Sequence, residues 1–196
     1  MREYNRLFID GRWQQPLGQG MAEVIDPASE AVAGKVPLGN EADVERAVQA
    51  ARRAFADWSR TPSSVRAGYI RALVDQLKAR ADEMAGVITS ELGMPVQWCR
   101  PVQVDGPIVG LEQYIALAGL MDDVREVGNS LVYREAVGRV RVHQPVELPA
   151  ASADRQAGAG LGCRLYRGGQ AQPGNAAACL CAGRDDRGHR LAGRGV

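Results

Sequence analysis

The chain has 196 residues, 24 of them basic and 23 acidic, with a net charge of +1. That length favours one domain or slightly more. The start, Met1 to Asn5, is polar, and no apolar run approaches the length of a signal core or a membrane span, so the sequence predicts a cytoplasmic protein.

The balanced charge conceals an asymmetry between the two ends of the chain. Residues 139–196 hold 9 Arg and 4 acidic residues, whereas residues 1–138 carry a net charge of −4. A basic segment can bind nucleic acid. This one has no Lys, a single aromatic residue and no helical spacing of its Arg residues, so we expect no nucleic-acid partner.

Short strands open the chain. Residues 7–13 predict a β-hairpin, because Asp10-Gly11 supplies a turn with positive φ between two apolar runs. Residues 22–25 predict a second strand, which Asp26-Pro27 ends, and residues 31–37 predict a third.

Two long amphipathic helices follow. Asn40 caps the first, with Asp43 suited to the positive helix start. A spacing of three and four predicts the buried stripe of this helix: Val44, Val48, Ala51, Phe55 and Trp58. The second starts after Thr61-Pro62 and ends at Gly93 with Pro95. Its predicted stripe is Ile70, Leu73, Leu77, Ala81, Met84 and Ile88.

A third helix and an extended arm complete this part of the chain. The helix is predicted to start at Pro107 and to run through Ala118. Residues 123–127 and 131–135, joined by Gly128-Asn129, predict a β arm with a turn in it.

Five segments, in this order and spacing, resemble the N-terminal portion of the NAD(P)-dependent aldehyde dehydrogenase superfamily. They are Leu7 to Trp13, Val24 to Ala28, Ala47 to Trp58, Glu91 to Pro95, and Leu131 to Gly138. The resemblance covers residues 5–138 and implies a fragment of an α/β fold with a Rossmann-like cofactor domain. Residues 1–138 would then be part of that domain with the start of an oligomerisation arm.

From Arg139 onward the composition changes, and we interpret residues 139–196 as a mostly irregular tail read in a displaced frame. The 58 residues contain no Ile, Phe, Trp, Met, Lys or Thr. With 22 Arg and 2 Lys, the chain suggests GC-rich coding. A frame displaced by one base would begin most codons with G or C, and such codons encode only ten residue types. Those types account for 52 of the 58 residues, against 104 of the 138 before them.

A trial back-translation supports the displaced frame. Arg139 to Pro149 can be encoded by bases that, regrouped by one position, give Val-Cys-Ala-Phe-Ile-Asn-Pro-Trp-Asn-Tyr-Pro. This is similar to the segment that the family places after Val-Gly. Cys163 to Asn175 can likewise be regrouped to give Ala-Gly-Cys-Thr-Val-Val-Val-Lys-Pro-Ser-Gln-Glu-Thr. The recovery of family motifs in order from one displacement favours a single inserted base after the Gly138 codon.

The resemblance implies chemistry that the chain as read does not carry. The family needs a Cys nucleophile, a Glu that activates water, an Asn that holds the oxyanion and a Lys that holds the adenosine ribose. None of these maps onto a numbered residue here. We therefore assign no catalytic, cofactor-binding or metal-ligating residue and expect the fragment to bind NAD or NADP poorly.

Several residues imitate functional ones. Cys99 lacks the family's cysteine context, and we interpret it as a structural thiol. Glu91 is also interpreted as structural. The glycine-rich run at 158–162 has neither the strand before it nor the helix after it that a dinucleotide loop requires. The two histidines, His143 and His189, lack partners at metal spacing. A reducing compartment is assumed for the four cysteines, which are Cys99, Cys163, Cys179 and Cys181.

Three functional hypotheses remain open. The first is a catalytically inactive N-terminal piece of an enzyme that oxidises an aldehyde, in which the long helices lack the sheet that their apolar stripes need. The second is an assembly module that pairs through its β arm with a full-length paralogue or in a homo-oligomer. The third is an active enzyme whose recorded sequence carries a frameshift error.

Overall fold

In the computed structural model, the described residues are 2–142 and 166–169. The chain opens with a hairpin and a small sheet. Strands β2 (Leu7–Ile9) and β3 (Arg12–Gln14) pair antiparallel. The turn residues Asp10 and Gly11 have φ of 55° and 67°, which confirms the predicted turn.

The small sheet has the order β1-β5-β4 and contains the two other predicted strands. Strand β4 (Met21–Ile25) pairs antiparallel with β5 (Val32–Pro37), and Val24 and Val36 form its buried centre. Strand β1 (Arg2–Glu3) adds to the other edge of β5 in parallel, a pairing that the sequence did not indicate.

Helix α1 (Glu41–Trp58) starts as predicted, but its buried face differs from the predicted stripe. The Asn40 side chain accepts a hydrogen bond from the Asp43 N–H, and the Asp43 side chain accepts one from the Asn40 N–H. Asp43, Ala50 and Ala51 are buried, whereas Val44 and Val48 are exposed. The predicted stripe is therefore wrong at its two valines, because helical spacing does not say which of two adjoining faces meets its neighbours.

The predicted second helix is two helices, α2 (Ser63–Ala79) and α3 (Ala81–Leu92). The break lies at Arg80, with φ −117° and ψ 21°, where the N–H still bonds to the carbonyls of Gln76 and Leu77. Both ends agree with the sequence, and α3 stops at Gly93 in the left-handed conformation.

The third helical segment starts earlier than Pro107. It begins as α4 (Val96–Cys99), continues as a π-helical stretch over Arg100–Asp105 and becomes α5 (Gly106–Leu117), followed by a 3₁₀ turn over Ala118–Asp122. The Gly106 N–H bonds to the Pro101 carbonyl, five residues back. The segment thus passes through Pro107, which was predicted to be the first residue of the helix, and has the wider π-helical hydrogen bonding over the residues before it.

One apolar core joins these helices. Side chains of α2, α3, the π-helical stretch and α5 form it: Ile70, Val74, Met84, Val87, Ile88, Val104, Ile108 and Leu111. The expectation that the α2–α3 stripe has nothing to pack on is therefore wrong, because α2 contacts α5 and α3 contacts the π-helical stretch.

The predicted arm is a two-stranded hairpin, β6 (Arg125–Val127) and β7 (Ser130–Val132), with Gly128 at φ 59° in its turn. In the tail, β8 (Arg139–Val142) and β9 (Tyr166–Gly169) pair in parallel, and both contact α1. These two strands were not predicted.

Gly93 gives a test of the junction between α3 and the β4–β5 turn. A Cβ at Gly93 would lie 2.6 Å from Pro27 Cγ, and the residue has φ +77°. We expect Gly93→Ala to lower the free energy of unfolding by about 1 kcal/mol or more, measured by urea denaturation.

Gly86, inside α3, is the matched control because no atom lies within 4 Å of a Cβ built there. Gly86→Ala should raise the free energy of unfolding by about 0.5–1 kcal/mol. Equal effects of the two substitutions would contradict the proposed junction.

Candidate functional site

The cysteine that most resembles a nucleophile lies inside the helical core. Cys99 has no exposed surface, and its Sγ is 3.2 Å from the Ala85 carbonyl oxygen, to which the thiol donates. A reactive cysteine needs an accessible thiolate in a positive environment. The geometry is that of a packed structural thiol, as the sequence predicted.

A groove of about 350 Å³ lies between α1 and the end of the arm. Arg52, Phe55, Val137 and Gly138 line it, and Val137 is 84% exposed. Among the described residues this lining offers one cation and one ring, with no acid, base or nucleophile beside them. The described part of the lining therefore does not form the convergent polar groups of a catalytic or dinucleotide site.

The arm presents an apolar surface to solvent. Every residue of β6 and β7 is exposed, and the apolar ones there include Val127, Leu131 and Val132. Arg134 ties the base of the arm to the helices, because its Nη1 donates to the Leu120 carbonyl at 2.7 Å. An exposed apolar hairpin with open edges is typical of a surface that pairs with another chain.

Asp43 is a buried ionisable group with several hydrogen-bond donors, whereas the sequence indicated only an acid at the helix start. Its carboxylate is 3% exposed and accepts hydrogen bonds from the N–H groups of Leu17, Gly18 and Asn40. Burial raises the pKa of Asp43, but these three bonds and the positive Arg46 outweigh it, so the pKa lies below its usual value. The signal in the sequence was the acid three residues after the Asn40 cap.

The remaining predicted look-alikes do not assemble into a site in the described part of the chain. Glu91 lies near the end of α3, partly buried. Within residues 2–142 and 166–169 no group of three His, Cys, Asp or Glu side chains could hold a metal ion. The other candidates lie outside the described residues: His143, the 158–162 run, Cys163, Cys179, Cys181 and His189. In the same described ranges, no helix is both long and apolar enough to cross a bilayer.

Sequence comparison gives one family. The model of the aldehyde dehydrogenase family matches residues 13–164, so the match begins inside the predicted range of 5–138 and continues beyond Gly138. A 3-succinoylsemialdehyde-pyridine dehydrogenase from Pseudomonas sp. is 39% identical over 142 residues, which are 70% of this chain and 29% of that protein. A putative aldehyde dehydrogenase from Staphylococcus aureus is 33% identical over 152 residues, 76% of this chain and 31% of that protein.

Comparison of structures agrees. An aldehyde dehydrogenase from Mycobacterium tuberculosis, solved with NAD⁺, superposes with a TM-score of 0.84 and 29% identity, covering 92% of this chain and 40% of that one. The mutant aldehyde dehydrogenase AldC from Pseudomonas syringae, solved with NAD⁺ and octanal, gives 0.87 and 28%, covering 91% and 37%. The chain thus spans about three tenths of the length of the curated relatives that it matches.

The buried state of Cys99 can be tested by alkylation. We expect iodoacetamide to label Cys99 in urea-unfolded chain but not in folded chain, because folding removes the thiol from solvent. Peptide mass spectrometry separates Cys99 from the three cysteines of the tail. Labelling of Cys99 at the same rate in folded and unfolded chain would contradict the structural assignment.

Proposed function

The chain belongs to the aldehyde dehydrogenase family, and we propose that residues 1–138 are the amino-terminal part of the cofactor-binding domain of an NAD(P)-dependent enzyme that oxidises an aldehyde to a carboxylic acid. The observation that supports this best is the family match over residues 13–164, together with the superposition on solved dehydrogenases. A cytoplasmic location is part of the same proposal.

The proposed role of this part is to support a catalytic site rather than to form one. Aldehyde oxidation in the family requires a thiolate that attacks the carbonyl, a nicotinamide that accepts hydride and a Glu-activated water. Cys99 cannot act as that thiolate, because it has no exposed surface.

We further propose that residues 139–196 are read in a displaced frame. The Asn that holds the oxyanion and the Lys that holds the ribose in this family would then be encoded only in the frame that is not translated. The support is the change of composition after Gly138 and the recovery of a Pro-Trp-Asn segment by regrouping. Two observations stand on the other side: the family model continues to residue 164, and β8 pairs with β9. An in-frame but divergent family segment would explain both of these observations. The sequence of the coding DNA decides between a displaced frame and a divergent segment.

An activity assay tests the proposed loss of chemistry. The purified 196-residue chain, given NAD⁺ or NADP⁺ and a series of aldehydes, should produce no reduced nicotinamide above the rate of a no-protein blank. An intact dehydrogenase of the family, assayed under the same conditions, is the positive control. Turnover that depends on this chain would contradict the proposal.

A second candidate function is assembly, and the exposed arm favours it. In this reading the chain pairs with a full-length dehydrogenase through β6 and β7, whose apolar residues and open edges have no cover among the described residues. Strand addition would satisfy the backbone of the edge strand and bury the arm's apolar side chains.

Co-purification with a purified full-length paralogue tests this candidate. The chain should co-elute with that paralogue in size-exclusion chromatography, and Leu131→Glu should abolish the co-elution because it places a charge in the buried contact. Val96→Glu is the matched control, since Val96 is equally exposed but far from the arm in sequence. Separate elution of the unmodified chain, or equal loss in both variants, would contradict assembly through the arm.

A further inference from the structure

The segment between β3 and β4 is fastened to the start of α1 by one carboxylate. The Leu17 N–H lies 3.1 Å from Asp43 Oδ1 and 3.0 Å from Oδ2, and the Gly18 N–H lies 3.1 Å from Oδ2. The same Oδ2 accepts from the Asn40 N–H at 3.2 Å, and Arg46 Nη1 donates to Oδ1 at 3.2 Å. We refer to Asp43 and these donors as the clasp.

The fit around the clasp is close. A Cβ at Gly18 would lie 2.6 Å from the Leu38 carbonyl oxygen and 3.1 Å from the Asn40 nitrogen. Only a glycine lets the segment approach the start of α1 so closely. Beyond it, the Leu38 N–H bonds to the Gly20 carbonyl at 2.8 Å, which returns the chain to the sheet.

Both ends of residues 7–20 return to the same three-stranded sheet. Strand β1, before them, pairs with β5, and strand β4, after them, pairs with β5 from the other side. Residues 7–20 are therefore an excursion from the sheet, which we call the flap. It contains the β2–β3 hairpin and the segment held by the clasp.

The other polar contacts between the flap and α1 are weaker. Arg53 Nη2 lies 3.3 Å from Asp10 Oδ2, with the two side chains 63% and 44% exposed, so water screens this pair. Arg46 also donates to the Gln14 side chain. Because Arg46 also bonds to Asp43, its contact with Gln14 and the clasp share one side chain.

We propose that the flap is a cooperative unit that the clasp, more than its other contacts with α1, holds closed, so that breaking the clasp releases residues 7–20 while the α2–α5 core stays folded. No residue of the flap belongs to the large apolar cluster, which is built from α2, α3 and the segments up to α5. Local opening of such a unit needs only the free energy of its own contacts.

The ionisation of Asp43 sets the pH at which the flap opens. The clasp faces one charged group, Arg46 on its own helix, while residues 14–20 contain no charged residue at all. The folded chain favours the ionised carboxylate, so the pKa of Asp43 is lowered. The clasp is therefore complete above the usual Asp pKa of about 3.9, and it is lost as pH falls through the lower folded value.

Amide hydrogen exchange of the full 196-residue chain tests the proposal. In Asp43→Asn, protection of the Leu17 and Gly18 amides should fall about tenfold or more, the size expected for hydrogen bonds to a charged group. Protection in β2 and β3 should fall with it, while Ile88 and Leu111 keep theirs. Asp57→Asn is the matched control, because Asp57 is an exposed acid on the same helix whose carboxylate pairs with exposed Arg60.

Two results would overturn the proposal: unchanged protection at Leu17 and Gly18, or an equal fall there and at Ile88. If Asp43→Asn gives no helical circular dichroism, the unmodified chain is followed as pH is lowered. The flap amides should then lose protection before the core amides do. Parallel loss in flap and core would overturn the proposal in that experiment as well.

Discussion

The packing of α2 and α3 against the α4–α5 segment is the constraint on which the rest of the structure depends. Ile70, Ile88 and Leu111 are at most 1% exposed, and each fully buried aliphatic side chain contributes about 1.5–3 kcal/mol. This core fixes where α3 ends, and so where Gly93 meets Pro27 of the β4–β5 turn. It also fixes where α5 ends, and so where the arm leaves the molecule.

Helix α1 is held differently, by polar contacts at its start, by small buried side chains at its middle and by contacts with β8 and β9. Ala50 and Ala51 form its buried apolar face, while Val44 and Val48 stay exposed. On the side of α1 that faces the end of the arm, Arg52 and Phe55 line the groove together with Val137 and Gly138.

Local chemistry made much of the fold predictable from sequence. The Asp10-Gly11 turn, the Asn40 cap and the Gly93 stop each depend on a few adjacent residues, and the structure confirms all three. The errors arose where contacts with residues distant in the sequence determine the local structure. Spacing could not tell which face of α1 is buried, and the break at Arg80 carries neither Gly nor Pro.

The same limit applied to the candidate site. A structural role for Cys99 was predicted from its sequence context, but the clasp at Asp43 was not, because Leu17 and Gly18 lie some 25 residues earlier in the chain. The pairing of β8 with β9 was missed for a similar reason, since composition says little about which short segments pair across a long connection. The functional assignment was made from the order of family-like segments, and not from a set of catalytic residues.

The proposed change of reading frame lies immediately after the Gly138 codon, and one measurement tests this proposal directly. The coding DNA is sequenced again across codons 136–142 and on through the codon of Pro149. The account predicts bases that, regrouped by one position after the Gly138 codon, encode a Pro-Trp-Asn segment. Bases that encode no such segment in either displaced frame would contradict it.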